Sequence, residues 1–263
     1  MGIGRPALYP TRMCGRYASS HEPGEIAEAF DIEQAELPHI DPDWNVAPTK
    51  QAYVVVERPP RGAGDDARQR QLRVMTWGLI PFWSTSPDSA SRMINARMET
   101  VATRPAYRRA FRKRRALIPA DGYYEWYESA ARTAKGKPVK QPYFIRPRDE
   151  GLLAMAGLYE IWRDPAKADD DPLRFRWTMS VITTTAEDEL GRIHERMPLM
   201  LSPGRYGAWL DPAHHETSSL LGLLEPAAPG RLLAQPVSTL VSNVANNGPQ
   251  LVEPVPVEGV RGA

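Results

Sequence analysis

The chain has 263 residues, 42 % hydrophobic and 25 % charged, with a formal net charge of +1. That length carries a substantial core, and the balance is that of a soluble globular protein, not a disordered polyelectrolyte. No apolar run approaches the ~20 residues of a membrane-spanning helix, and the single cysteine, Cys14, excludes an internal disulfide or a cysteine-rich zinc site.

Residues 1–12 lack an apolar h-region, so they are expected to be a disordered extension or a mis-assigned start, not a signal peptide. A reducing cytoplasm is the expected compartment. Residues 13–254 are read as one domain and 255–263 as a tail. The pattern predicts a helix over Glu22–Phe30, with Ile26, Ala29 and Phe30 on one face, and strands over Gln51–Glu57 and Arg70–Trp77. Between these strands, 58–70 is rich in Pro, Gly and charge and reads as a hairpin loop. The segment Trp77-Gly78-Leu79-Ile80-Pro81-Phe82-Trp83 reads as a rigid exposed loop. A helix is expected over Thr103–Lys113, with Tyr107, Ala110 and Phe111 inward. Ala116–Pro119 and Tyr123–Tyr127 read as short strands joined by the turn Ala120-Asp121-Gly122. A polar loop over 130–141 precedes strands at Tyr143–Arg146, Leu152–Ile161 and Phe175–Thr184. A short helix at Ala186–Ile193, a strand at Met197–Leu201, helices at Pro203–Leu210 and Thr217–Leu224, and a strand at Leu232–Val237 complete the chain. The 26 prolines and the runs of strands predict an α+β fold with a mainly antiparallel, barrel-like β-sheet core and short peripheral helices.

Charge is uneven. Arg104, Arg108, Arg109, Arg112, Lys113, Arg114 and Arg115 fall in twelve residues without an acid, so the remainder is net acidic. Such a patch reads either as an anion-binding face or as a solvated helix face.

Four segments concentrate polar groups among apolar ones: Cys14-Gly15-Arg16, Met93 to Thr100, Pro119 to Trp126, and Ile193 to Pro198. Cys14 alone reads more often as a small buried hydrophobe than as a nucleophile. With Met13 as the true start and trimmed, however, Cys14 carries a free amine and a thiol on adjacent carbons. Their ordinary pKa values of about 7.7–8.0 and about 8.5 leave both partly deprotonated near neutral pH. The amine then forms a Schiff base with an aldehyde, and the thiol closes a thiazolidine on the same carbon. Glu125 sits among aromatics, where burial raises a carboxyl pKa and suits general acid–base work; a water-facing strand-edge glutamate is the alternative. His194 is read as a proton-transfer candidate or as a plain surface or core histidine. His21 and His214-His215 lack ligand spacing, and His194 does not open an HExxH motif, so no metal and no cofactor is expected.

Six motifs stand in order: Met13-Cys14-Gly15-Arg16-Tyr17, Trp44-Asn45-Val46-Ala47-Pro48, Trp77 to Trp83, Ile94-Asn95-Ala96-Arg97-Met98-Glu99-Thr100, Ile118 to Trp126, and Ile193 to Met200. From Met13 to about Pro254 the chain resembles the SOS-response-associated peptidase (SRAP) family of abasic-site-processing proteins. The resemblance implies a covalent crosslink between an N-terminal cysteine and abasic sites in single-stranded DNA. It also implies self-release of the residues before the cysteine and lyase-type chemistry. Carried over by motif, Cys14 is the nucleophile. Asn95 holds the cysteine and the sugar remnant, Glu125 is the base and proton shuttle, and His194 protonates the opened sugar or helps reverse the adduct. Arg16 and Arg97 are expected on phosphates, with Asn45 a weaker DNA contact. Trp77, Pro81, Phe82 and Trp83 are expected to stack on or wedge between bases, with core packing as the alternative and at least one of the two tryptophans buried. Ser242 to Asn246 is expected to wall the site. The implied partner is single-stranded DNA containing abasic sites, bound by a monomer, with no membrane. Two other readings stand beside it: a non-catalytic single-strand-binding module, and a cysteine peptidase using Cys14, His194 and Glu125 on other proteins.

Overall fold

The computed structural model describes residues 14–256, apart from 61, 63, 65–66, 187 and 227–229. The expected 1–12 extension, Met13 and the tail from 257 lie outside the described residues. Among the described residues there are twelve strands: β1 Tyr17–Ser19, β2 Asp43–Val46, β3 Gln51–Arg58, β4 Gln69–Trp77, β5 Asn95–Arg97, β6 Arg115–Ala120, β7 Gly122–Arg132, β8 Pro138–Pro147, β9 Leu153–Arg163, β10 Phe175–Thr185, β11 Arg196–Pro198 and β12 Leu232–Pro236. Four short helices accompany them: α1 Pro23–Ala29, α2 Arg108–Lys113, α3 Tyr206–Leu210 and α4 Thr217–Leu223.

Five strands close a barrel in the order β10-β4-β3-β6-β9, because β10 pairs with β4 on one edge and β9 on the other. Only the β10–β4 seam is parallel. Strands β5 and β11 extend β10 past the barrel: Val181 faces Asn95 and Thr184 faces Met197. A second, antiparallel sheet runs β12-β8-β7-β1-β2. This is the expected α+β, barrel-like architecture.

Strand alternation sorts the core into two sides. Val55, Leu72, Leu117, Ala156 and Leu158 pack outward under Ile26, Phe30, Phe111, Trp209 and Leu220 of the helices and turns. Val54, Val56, Met75, Ala116, Ile118, Met155 and Met179 form the other cluster, inside the barrel, which also takes Cys14, Tyr17, Trp77 and Tyr123. The second sheet therefore delivers Cys14 and two tyrosines to the interior cluster.

Several local expectations are corrected. β6 and β7 do not form a hairpin. β6 belongs to the barrel and β7 to the second sheet. Asp121 pins the crossover by accepting from Ser20 N at 3.0 Å and Ser20 Oγ at 2.7 Å, with His21 Nδ1 at 2.9 Å. The expected 130–141 loop is mostly the hairpin of β7 and β8. Regular α-helix in the 103–113 segment is confined to α2, and the 186–193 helix is a 3₁₀ turn over Asp188–Arg192. The 77–83 segment is mostly buried. Gly78 has φ +133° and passes so close to Ala90 that a Cβ would lie 2.6 Å from its carbonyl oxygen. Only glycine fits that approach, and it turns the chain outward to an exposed tip at Phe82 and Trp83. Among the described residues, no helix is long and apolar enough to cross a membrane.

Candidate active site

β7 alternates strictly where it meets β1. Tyr124 and Trp126 turn toward Ala18, Phe144, Val237 and Val241, while Tyr123 turns toward the barrel interior. Glu125 shares the face of Tyr123 and is 3 % exposed. The antiparallel register sets Tyr17 opposite Tyr123, which brings the residues before β1 alongside Glu125. The main-chain N–H of Cys14 donates to the Glu125 carboxylate. From the other side Asn95, at the start of β5, donates Nδ2 to the Cys14 carbonyl at 2.8 Å. The Asn95 carbonyl accepts from the Tyr107 hydroxyl at 3.0 Å. Two distant segments thus fix the backbone of Cys14, and a third braces Asn95.

The electrostatics follow from burial. The Glu125 carboxyl is pushed well above the ordinary carboxylate range by desolvation, which the Cys14 N–H only partly offsets. The Cys14 thiol is pushed up by burial first and then by the Glu125 charge. Its Sγ reaches the Arg16 carbonyl at 3.8 Å, a weak contact. The Tyr123 phenol is raised by burial and by the charges of Cys14 and Glu125, which places all three groups together. Glu125 Oε1, Asn95 Oδ1 and the Tyr17 and Tyr123 hydroxyls are buried and have no hydrogen-bond partner among the described residues. Such atoms are rare in folded proteins, and here they cluster around one cysteine.

His194 stands two residues before the first residue of β11, Arg196, across β10 from β5. Its Nδ1 lies 3.0 Å from the Arg196 N and 3.2 Å from the Arg196 carbonyl. Nδ1 accepts from the Arg196 N–H in the tautomer that carries its proton on Nε2, and donates to the Arg196 carbonyl in the other. That Nε2 is buried and unpartnered. Arg196 braces the turn by donating to both Glu99 oxygens, at 2.6 and 3.0 Å, and to the Thr183 carbonyl at 2.7 Å. No hydrogen bond joins His194 to Cys14, Glu125 or Asn95 among the described residues.

The structure divides the expected DNA contacts. Arg97 shares the face of Asn95 two residues on, and its side chain is exposed. Phe82 and Trp83 are 49 % and 57 % exposed, whereas Pro81 is buried. Trp77 is corrected to a core residue: it is fully buried, donates Nε1 to the Ile94 carbonyl at 2.9 Å, and packs edge-on to Tyr17. Asn45 is likewise corrected. It is fully buried, and its Nδ2 bonds the carbonyls of Val241, Asn243 and Asn246. Arg16 completes that clasp, donating to Asn45 Oδ1 at 2.8 Å and the Val241 carbonyl at 2.6 Å while lying over Trp126. Arg16 and Asn45 therefore tie the 241–246 segment to the chain that leads from Cys14. Sequence reasoning missed the Tyr17 and Tyr123 hydroxyls and the Tyr107 bond. Both Tyr17 and Tyr123 lie inside quoted motifs, but only the β1–β7 register shows which way they point.

The SOS response associated peptidase (SRAP) profile matches residues 13–244. The abasic site processing protein YoqW of Bacillus subtilis is 35 % identical over 243 residues, spanning 92 % of this chain and 99 % of its own. The abasic site processing protein HMCES of Gallus gallus is 29 % identical, spanning 92 % of this chain and 78 % of its own. A crystal structure of a protein from Bacteroides thetaiotaomicron superposes with a TM-score of 0.74 at 25 % identity, covering 92 % of this chain and all of that one. With six motifs in order, the matching profile and the matching barrel, the chain belongs to the SRAP family.

Proposed function

We propose that this protein senses abasic sites in single-stranded DNA and captures them covalently through Cys14, as a thiazolidine, once the residues before Cys14 are removed. The observation that carries this reading is the Cys14 nitrogen held on the buried Glu125 carboxyl, beside its own thiol. As an amide that nitrogen is inert. As a free amine it occupies the same place, next to a carboxylate whose raised pKa makes it a competent proton acceptor.

The reaction balances without an oxidant or cofactor. The abasic sugar opens to its aldehyde as its ring oxygen gains a proton and its anomeric hydroxyl loses one, and His194 relays that proton with no net change in its own protonation. Glu125 takes a proton from the Cys14 ammonium, and the amine adds to the aldehyde carbon. The carbinolamine then loses water, with Glu125 returning the proton to the leaving hydroxyl. The Cys14 sulfur adds to the imine carbon as its own proton passes to the nitrogen. One C–N and one C–S bond form and one water leaves. Ring closure removes the imine that otherwise drives strand-cleaving β-elimination, so the adduct shields the lesion. The YoqW and HMCES relatives carry names that support this substrate.

Two further activities belong to the same reading. Release of the residues before Cys14 uses the same groups: the thiol adds to the preceding carbonyl, the C–N bond breaks as Glu125 protonates the freed Cys14 amine, and water hydrolyses the resulting thioester to return the thiol. Some lyase cleavage accompanies any imine that escapes ring closure.

The test compares a form beginning at Cys14 with a form that keeps a blocked leader, each mixed with single-stranded DNA bearing one abasic site. A heat- and denaturant-stable band from the free-cysteine form alone is expected, and Cys14→Ala abolishes it while single-strand binding persists. A stable band that survives Cys14→Ala, or no band from any form, overturns the reading.

A further inference from the structure

The seven cations between Arg104 and Arg115 divide into two groups. Arg115 is buried, and Arg109 and Arg114 pair with Glu160. Arg104, Arg108, Arg112 and Lys113 are exposed, and their side chains have no acidic partner among the described residues. Helical hydrogen bonding already begins at Arg104, whose carbonyl accepts from Arg108 N at 2.9 Å. Arg108 and Arg112 therefore stand one four-residue step apart on α2, with Cβ atoms about 5–6 Å apart, and Arg104 precedes them in the turn that leads into the helix, so that the three form one ridge.

Folding does not ask for this row. Like charges at that spacing repel, and cations in a first helical turn oppose the helix dipole. The last turn of α2 has no need of exposed cations either, because Arg115 donates to the Phe111 and Arg112 carbonyls at 3.0 and 2.8 Å. Two contacts tie the ridge to the site. Tyr107, between Arg104 and Arg108, holds the Asn95 carbonyl at 3.0 Å. Arg109 lies over the exposed Phe82 ring at 4.0 Å, joining α2 to the Phe82–Trp83 tip.

We propose that the ridge Arg104–Arg108–Arg112, with Lys113 at its end, is a phosphate track for the single strand that continues past the lesion, entered across the Phe82–Trp83 tip. The proposal rests on the reading of the Cys14 site as a single-stranded DNA site. It adds a flanking segment that positions the strand and takes no part in the chemistry. A row of point charges with exposed aromatics at one end suits a flexible polyanion whose bases stack and whose phosphates step from cation to cation.

The test uses strands carrying a tetrahydrofuran abasic analogue, which binds but has no aldehyde. One is short, about six nucleotides, and one long, about twenty. The wild type is expected to prefer the long strand. The triple variant Arg104→Ala, Arg108→Ala, Arg112→Ala is expected to lose that preference and to bind the short strand as before. Its slope of log K against log salt falls by about 2, at roughly 0.7 per lost phosphate contact. Lys at the same three positions keeps the charge and restores both, which separates charge loss from any damage to α2. Crosslinking to a true abasic site at saturating DNA stays at the wild-type rate. A triple variant with wild-type length preference and salt slope overturns the track while leaving the Cys14 reading intact. A wild type that binds neither strand overturns both.

Discussion

Arg115 and Glu125 are both ionisable side chains with 2–3 % exposure, and their surroundings differ. The Arg115 guanidinium has five N–H donors and meets five carbonyls: Trp209, Phe111, Arg112, His214 and Asp211. Burial pulls its pKa down to about 10, so it stays charged at neutral pH. Glu125 instead leaves Oε1 open, and Tyr17, Tyr123 and Asn95 each leave an oxygen open beside it. An unmet buried polar group costs about 1–3 kcal/mol. Around Arg115 the chain itself meets that demand, and the result is a rigid anchor between β6, α2 and α3. Around Cys14 the demand is left unmet by the chain, as it is where a substrate supplies the missing partners.

The largest effect expected on the open side is Glu125→Gln in the free-cysteine form. Losing a positioned acid–base group slows crosslinking by about 10²–10⁴, read in single-turnover gels. Stability moves the other way. A carboxyl whose folded pKa is raised binds more protons in the native state than in the unfolded one, so its stabilisation is complete at pH below the ordinary carboxylate value. It is lost as pH rises through the raised folded value. Denaturation midpoints of the wild type therefore fall across that window relative to Glu125→Gln, which lacks the titration. Parallel pH profiles for the two proteins would show that Glu125 is not held in the protonated form.

The matching experiment on the closed side is Arg115→Met. Five carbonyls lose their donor together, and a loss of about 3 kcal/mol or more is expected in urea unfolding. Crosslinking by the fraction that remains folded should stay near normal, because Arg115 touches no part of the Cys14 site. A variant that unfolds normally but crosslinks slowly would break the division between anchor and site.

The two clusters were not equally legible in the sequence. The long strands over 51–58, 69–77, 153–163 and 175–185 announce themselves by length and alternation, and so does the barrel-like class. Cys14, Asn95, Glu125 and His194 were legible as motif positions, because each lies in a polar cluster inside an apolar stretch. The strands that assemble them were not. β1, β2 and β5 have three or four residues, too few for a period-two pattern to register. Arg115 shows the opposite failure. It closes a run of basic residues and reads as part of a surface patch, because nothing local reveals that the carbonyls of Trp209, Asp211 and His214 come to it from about a hundred residues away. Which of the two tryptophans, Trp77 or Trp83, is the expected core residue was not legible, and Asn45 misled for the same reason: an asparagine in a loop motif looks exposed until long-range packing decides.

Asn45→Ala tests whether the clasp belongs with the anchor or with the site. Its amide holds the carbonyls of Val241, Asn243 and Asn246, and its Oδ1 holds Arg16. Removing it leaves buried carbonyls unpaired and frees the strand that follows Cys14. A stability loss of about 2 kcal/mol is expected, together with greater amide hydrogen exchange over 241–246. Unchanged exchange there would mean that the segment is held by its own packing at Val241 and Leu251.

The smallest effect expected is also the most direct measure of the open cluster. Tyr123→Phe removes one hydroxyl that has no partner and keeps the ring that packs inside the barrel. At a satisfied site such a deletion destabilises, because the former partner is left bare. Here there is no partner to leave bare, so the expected change is neutral to stabilising, up to about 1 kcal/mol. A parallel Tyr107→Phe is the control, since that hydroxyl is spent on the Asn95 carbonyl; it should cost about 1 kcal/mol. Opposite signs for two tyrosines flanking the same asparagine–cysteine contact mean that the open oxygens are unmet in the folded protein itself. Equal losses at both mean that ordered water already meets the open oxygens around Cys14, and the contrast with Arg115 then narrows to one between a site satisfied by protein and a site satisfied by solvent.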